Sequence, residues 1–130
     1  MGYDSRIYVV DKSTSGIKID VVIDGVDYGK RDWSQVIASM ELGKYPAIAD
    51  FMRNQPETDT YIYGDDGNTM IVEDCYGKVM TECSVDDLLE VVQKEIDSGE
   101  DYRRLAPLYG LLKGFKPVQW YSLRVLHYGH

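Results

Sequence analysis

The chain has 130 residues, 44% hydrophobic and 28% charged, which suits one globular domain spanning 1–130 with a core of its own. Its formal net charge of −8 argues against direct binding of nucleic acid, which needs clustered Lys and Arg for the phosphates. The 2 cysteines are too few for a secreted disulfide scaffold, no apolar run reaches a membrane span, and the opening Met-Gly-Tyr-Asp-Ser-Arg has no apolar signal region, so a cytoplasmic protein is expected.

In chain order, Arg6 to Val10 is rich in residues that suit a pleated sheet and reads as a first strand. Lys12 to Gly16 is a polar turn, and Ile17 to Ile23 a second strand. Asp24-Gly25 is a hairpin signal, and Asp27-Tyr28-Gly29 reads as a further break. Trp33 to Leu42 fits both helical spacing and alternation, and strand is preferred because Gly43 to Pro46 already opens a separate helix. That helix has Pro46 in its first turn, Ile48, Phe51 and Met52 on its apolar face, and Asn54 and Pro56 at its end. Thr60–Tyr63, Thr69–Glu73 and Val79–Glu82 read as a meander, turning at 64–68 and at Tyr76-Gly77.

Ser84 and Asp87 then resemble a capping box, and Val85, Leu88, Leu89, Val92 and Ile96 form one stripe of a helix closed by Gly99. A last helix is expected from about Asp101 to Lys113, kinked or restarted at Pro107 and ended by Gly114. Val118 to Tyr128 closes the chain as a central strand. The expected fold is α+β: a mostly antiparallel sheet of about five to six strands with two or three helices packed on one face.

Charge is distributed unevenly. From Glu57 to Asp101 there are 14 acids and 2 bases, whereas from Tyr102 to His130 there are 5 bases and no acid. Such a middle attracts a basic protein surface, although a solvated acidic face that keeps the chain soluble has the same composition. Tyrosine is also abundant, 11 residues against 2 Phe and 2 Trp, and Tyr favours interfaces as well as half-buried strands. The candidate partner-binding residues are therefore Asp65 and Asp66 in the first meander turn, Tyr61 and Tyr63 on one face of the preceding strand, and Asp86, Asp87 and Glu90 off the apolar stripe of the capped helix.

Metal and catalytic chemistry are weaker readings. Cys75, Cys83, His127 and His130 do not have finger spacing. If Tyr76-Gly77 is a tight turn, Cys75 lies opposite Lys78 and Cys83 opposite Met70, about 17 Å apart along the ladder. One zinc ion with bonds of about 2.3 Å cannot hold both thiolates. A smaller site with His127, His130 and one further ligand survives that argument, so a small zinc-binding protein is the alternative reading, ahead of an uncharacterised enzyme. Asp65, Asp66 and Asn68 lack the longer ligand series and distal Glu of a calcium loop. Nothing marks a base and orienting partner for a nucleophile. No cofactor and no catalytic residue is expected.

The opening Gly-Tyr-Asp-Ser-Arg-Ile-Tyr-Val-Val, the Leu-Leu-Lys-Gly-Phe at 111–115 and the closing Val-Leu-His-Tyr-Gly-His resemble small proteins encoded by phages and prophages. Among such proteins are anti-CRISPR proteins, small and often acidic, which block Cas effectors by occupying DNA-binding or domain-contact surfaces. The resemblance implies a non-enzymatic inhibitor in the host cell cytoplasm. Its partner would be a nucleic-acid-binding effector such as a Cas9-class nuclease, met through the acidic middle of the chain. It assigns no individual residue a role.

Overall fold

The first strand is central because both of its faces are apolar. In a computed structural model that describes residues 4–12, 17–99, 102–115, 117 and 123–130, β1 (Ser5–Lys12) buries Ile7 and Val9 on one side and Tyr8 and Val10 on the other. It lies between β3 (Val26–Gly43) and β7 (Leu123–Gly129), antiparallel to both. The expected turn at 13–16, the start of the last helix at 101 and the strand residues 118–122 lie outside the described residues.

The Asp24-Gly25 turn is formed as its sequence demands. Both residues have positive φ, 53° and 81°, which matches the twist of the strands it joins, β2 (Ile19–Ile23) and β3. The expected break at Asp27–Gly29 does not occur, and β3 runs through it for 18 residues. Gly29 takes φ 80° while its N–H bonds Asp27 Oδ1 at 2.8 Å, and the β2–β3 register shifts between Asp20 and Val22. A glycine in that conformation is absorbed as a bulge instead of ending the strand. The preference for strand over helix at 33–42 agrees with the structure.

The length of β3 gives it three partners. Its first third pairs with β2, the part from Ser34 to Gly43 with β1, and Asp32 and Trp33 pair in parallel with Thr60 and Tyr61 of β4 (Thr60–Tyr63). The sheet is therefore mixed, not mostly antiparallel, and among the described residues has seven strands in the order β5-β4-β3-β1-β7-β6 with β2 added on β3, where β5 is Met70–Ile71 and β6 is Thr81–Cys83. The meander is also shorter than expected. Val79 makes one bridge to Glu73, after which β6 leaves to pair with β7, Cys83 opposite Val125. Thr58 N–H to Met80 O at 2.8 Å and Glu82 N–H to Pro56 O at 2.9 Å curl the sheet back on itself.

Among the described residues three helices complete the α+β fold: α1 (Pro46–Arg53), α2 (Val85–Asp97) and α3 (Tyr102–Phe115). Neither Pro107 nor Gly114 ends α3. Leu105, Leu108 and Leu112 are buried at helical spacing, and that stripe outweighs the roughly 3 kcal/mol an interior proline costs. The main core joins these leucines and Ile48, Met52, Leu88 and Val92 to Ile7, Val9 and Val125 of the sheet. The helices are not one layer on one face, however: α1 and α2 meet β6 and β7, whereas α3 packs chiefly on α2. A second cluster, Tyr8, Val10, Ile62, Met80 and Leu126, fills the curl, and a third, Val21, Tyr61 and Val72, lies under β2.

Candidate functional site

Helix α2 is set by its ends and its stripe. Ser84 Oγ accepts the Asp87 N–H at 3.1 Å, and Val85, Leu88, Leu89 and Val92 are buried as the period requires, with Ile96 packed at the margin. Asp86, Asp87 and Glu90 consequently face solvent. Asp86 and Glu90 are four residues apart and share one side of the helix. Glu90 also meets Lys94 one turn on, at 3.8 Å between exposed side chains, a contact worth a few tenths of a kcal/mol. Beside these two acids runs a groove of about 330 Å³ between α2 and α3, lined also by Leu89, Gln93, Tyr109 and the two lysines Lys94 and Lys113. Lys113 Nζ lies 5.7 Å from the centre of the Tyr109 ring.

The other candidates lie on a separate element and are used differently. Asp66 Oδ1 accepts the N–H groups of Asn68 and Thr69, both at 2.9 Å, and Oδ2 the Thr69 hydroxyl at 2.5 Å. The Thr69 hydroxyl first, then these backbone donors, hold the carboxyl down at about 2. Asp66 thus builds the turn, as Asp does at such positions, while Asp65 beside it is exposed. Tyr61 and Tyr63 do share a face and meet edge to face at 5.7 Å. Yet Tyr61 is buried under β2 with Val21 and Val72, and Tyr63 is half-buried against the same cluster. Tyr61 is a core residue, and the expectation that it is presented to a partner is corrected.

The cysteines are separated, but not by the register expected. Cys75 sits inside the Asp74–Lys78 turn, its N–H bonded to Gly129 O at 3.1 Å and its Sγ 3.1 Å from Tyr128 Oη. Cys83 pairs with Val125 instead of facing Met70, and its thiol lies 3.5 Å from Met52 Sδ, where burial pushes its pKa up to about 12. His127 in β7 and His130 just past its end have different partners. His127 is buried with Nε2 3.0 Å from Ser5 Oγ, and His130 Nε2 lies 2.7 Å from Glu41 Oε1 near the surface. Among the described residues no three His, Cys, Asp or Glu side chains converge as metal ligands would.

Two polar clusters escaped the sequence reading. In the first, the half-buried Glu82 accepts the Thr58 hydroxyl at 2.8 Å and lies 3.4 Å from Lys12 Nζ and 3.3 Å from Arg124 Nε, with Lys12 also bonded to Asp59 at 2.8 Å. This network ties β1, β6 and β7 to the segment before β4. The second is a cavity of about 70 Å³ lined by Arg53, Asp74, Lys78, Val79, Thr81 and His127. Desolvation first, and the nearby Arg53 charge to a smaller extent, lower the His127 pKa to about 4, with Asp74 opposing them. No local motif announces either cluster, since their members come from segments far apart in the chain that meet only through tertiary pairing, β6 with β7 among them.

No family model, curated protein or solved structure matches this chain. No helix among the described residues is long and apolar enough to cross a membrane.

Proposed function

We propose that the chain is a non-enzymatic binding protein of phage type that meets a basic protein surface through α2, and that the surface belongs to a nucleic-acid-binding effector such as a Cas9-class nuclease. The observation that carries this reading is the α2–α3 groove with Asp86 and Glu90 beside Leu89 and Tyr109. A Lys or Arg of the partner meets Asp86 directly and replaces the weak, exposed contacts of Lys94 with Glu90 and of Lys113 with the Tyr109 ring, its aliphatic stem lying along the groove. The β4–β5 turn is a poorer site, because a cation on Asp66 competes with the N–H groups of its own turn. Tyr109 takes the aromatic role that sequence reasoning gave to Tyr61 and Tyr63. Bound in this way, the acids occupy a surface that otherwise holds phosphates, so the effector loses its nucleic acid without any bond being made or broken.

The test is competition. Asp86→Lys with Glu90→Lys leaves the Ser84 cap and the core alone, so folding stability should move by no more than about 0.5 kcal/mol for each exposed site. Wild-type protein should reduce DNA binding or cleavage by a Cas9-type effector. The double variant should lose this effect through slower association, and the difference should shrink as salt rises. A folded double variant with undiminished inhibition removes this face from the mechanism. No inhibition by the wild type across several effectors removes the proposal.

A further inference from the structure

The polar cavity at the junction of α1, the 74–78 turn, β6 and β7 is independent of the acidic face of α2. We propose that it is a binding site for a small tetrahedral oxyanion of the phosphate or sulfate kind, held by Arg53 and Lys78 with His127 in the wall. Size is the first argument. At about 70 Å³ the cavity has room for several water molecules or one small ion, and is far below the ~300–1,000 Å³ of pockets that take drug-sized ligands.

Charge is the second argument. Two of the lining side chains are cations, in a protein whose net charge is −8. The one lining acid, Asp74, shapes the turn by accepting the N–H groups of Tyr76 at 2.8 Å and Lys78 at 3.1 Å on Oδ1, and its charge, which also reaches His127, is outnumbered by the two cations. Arg53 is held from behind by Asp50 through Nη2 and brings a planar array of five donors suited to an oxyanion. It stands at the last position of α1, and Lys78 stands in a turn, so both can move to a ligand without disturbing the core.

The fixed wall is the third argument. The Thr81 hydroxyl already donates to Met52 O at 2.6 Å, so it lines the cavity without giving its proton to an anion. His127 is buried in the wall, its Nε2 fixed on Ser5 Oγ, so its ring orientation is set before any ligand arrives. An anion between Arg53 and His127 replaces the repulsion between a cation and an incoming proton by attraction, so binding also favours protonation of the ring. A divalent cation fits worse, because it would face Arg53 and Lys78 with Asp74 and His127 as its only conventional ligands.

The experiment uses the whole chain and added inorganic phosphate, sulfate or O-phosphoethanolamine, with chloride at matched ionic strength as the control. Saturable binding by calorimetry and a concentration-dependent rise in Tm are expected with phosphate or sulfate and not with chloride. Arg53→Gln and Lys78→Gln should each weaken binding about tenfold or more, as loss of a charge-assisted contact does. The His127 ring resonances should shift in the wild type on addition of the anion. Binding of the monoester as well assigns the pocket to phosphate carried on a larger molecule, and binding of the inorganic ion alone to the free anion. No saturable effect beyond chloride overturns the proposal, and so does binding unchanged in both variants, which places the anion elsewhere.

Discussion

His127 makes the folding stability of this protein depend on pH in a window that the carboxylates do not share. The residue is 3% exposed, and its pKa is lowered from an ordinary 6.5 to about 4, chiefly by burial. A base with a lower pKa when folded binds its proton more readily when unfolded. Stability is therefore full above pH 6.5, falls as the pH drops toward 4, and levels off below it. The whole difference amounts to about 3 kcal/mol, of which about 2 kcal/mol is lost between pH 7 and pH 5. Glu41, through His130 and Arg6 against its own desolvation, and Asp59, through Lys12, have lowered pKa values. Those groups contribute stability above the ordinary carboxylate range and lose it only below that, so they act later in an acid titration.

Urea unfolding of the wild type and of His127→Gln at pH 7, 6 and 5 measures the effect. Gln is chosen because its amide can reach the position of the ring Nε2 and keep the contact to Ser5 Oγ, which is otherwise left buried and alone. The wild type should lose about 2 kcal/mol over that interval and the variant should not. The shrinking net charge of −8 acts in the opposite direction, since it relieves self-repulsion, but it acts on both proteins alike. A wild-type curve flat between pH 7 and pH 5, or a variant with the same slope, refutes the assignment of a neutral buried His127.

Two further outcomes follow from the packing. Leu89→Ala should cost about 2–3 kcal/mol in chemical denaturation, toward the low end for a buried leucine because its edge opens on the α2–α3 groove, and Leu88→Ala more, since Leu88 is fully buried. Elemental analysis and melting with and without chelator should give no stoichiometric zinc and no change in Tm, because Cys83 is a buried thiol against Met52 and Cys75 stands beside Tyr128. A bound metal whose removal lowers Tm favours the zinc-binding reading instead.

The features legible in the sequence are those whose causes lie within a few residues. Ser84 caps α2 because a hydroxyl and an N–H three residues on can find each other without help, and Asp24-Gly25 turns because both residues tolerate positive φ. Asp86, Asp87 and Glu90 were legible as exposed for the same reason, since helical period alone puts them opposite Val85, Leu88 and Val92. Period failed where it had to say which face is covered. Tyr61 and Tyr63 share a face as alternation requires, but whether that face meets water is decided by Val21 of β2, some 40 positions earlier, and β2 reaches it only because Gly29 bends β3 instead of ending it. The same holds for Val79 to Glu82. Alternation permits a third meander strand there, yet the chain leaves the hairpin and buries Cys83 beside Met52 and opposite Val125. That departure carries Thr81 to His127 and, with α1 above, forms the cavity of Arg53, Lys78, Thr81 and His127. A site assembled by strand choice is invisible to any local reading, because the burial that decides the choice is a property of residues far apart in the chain.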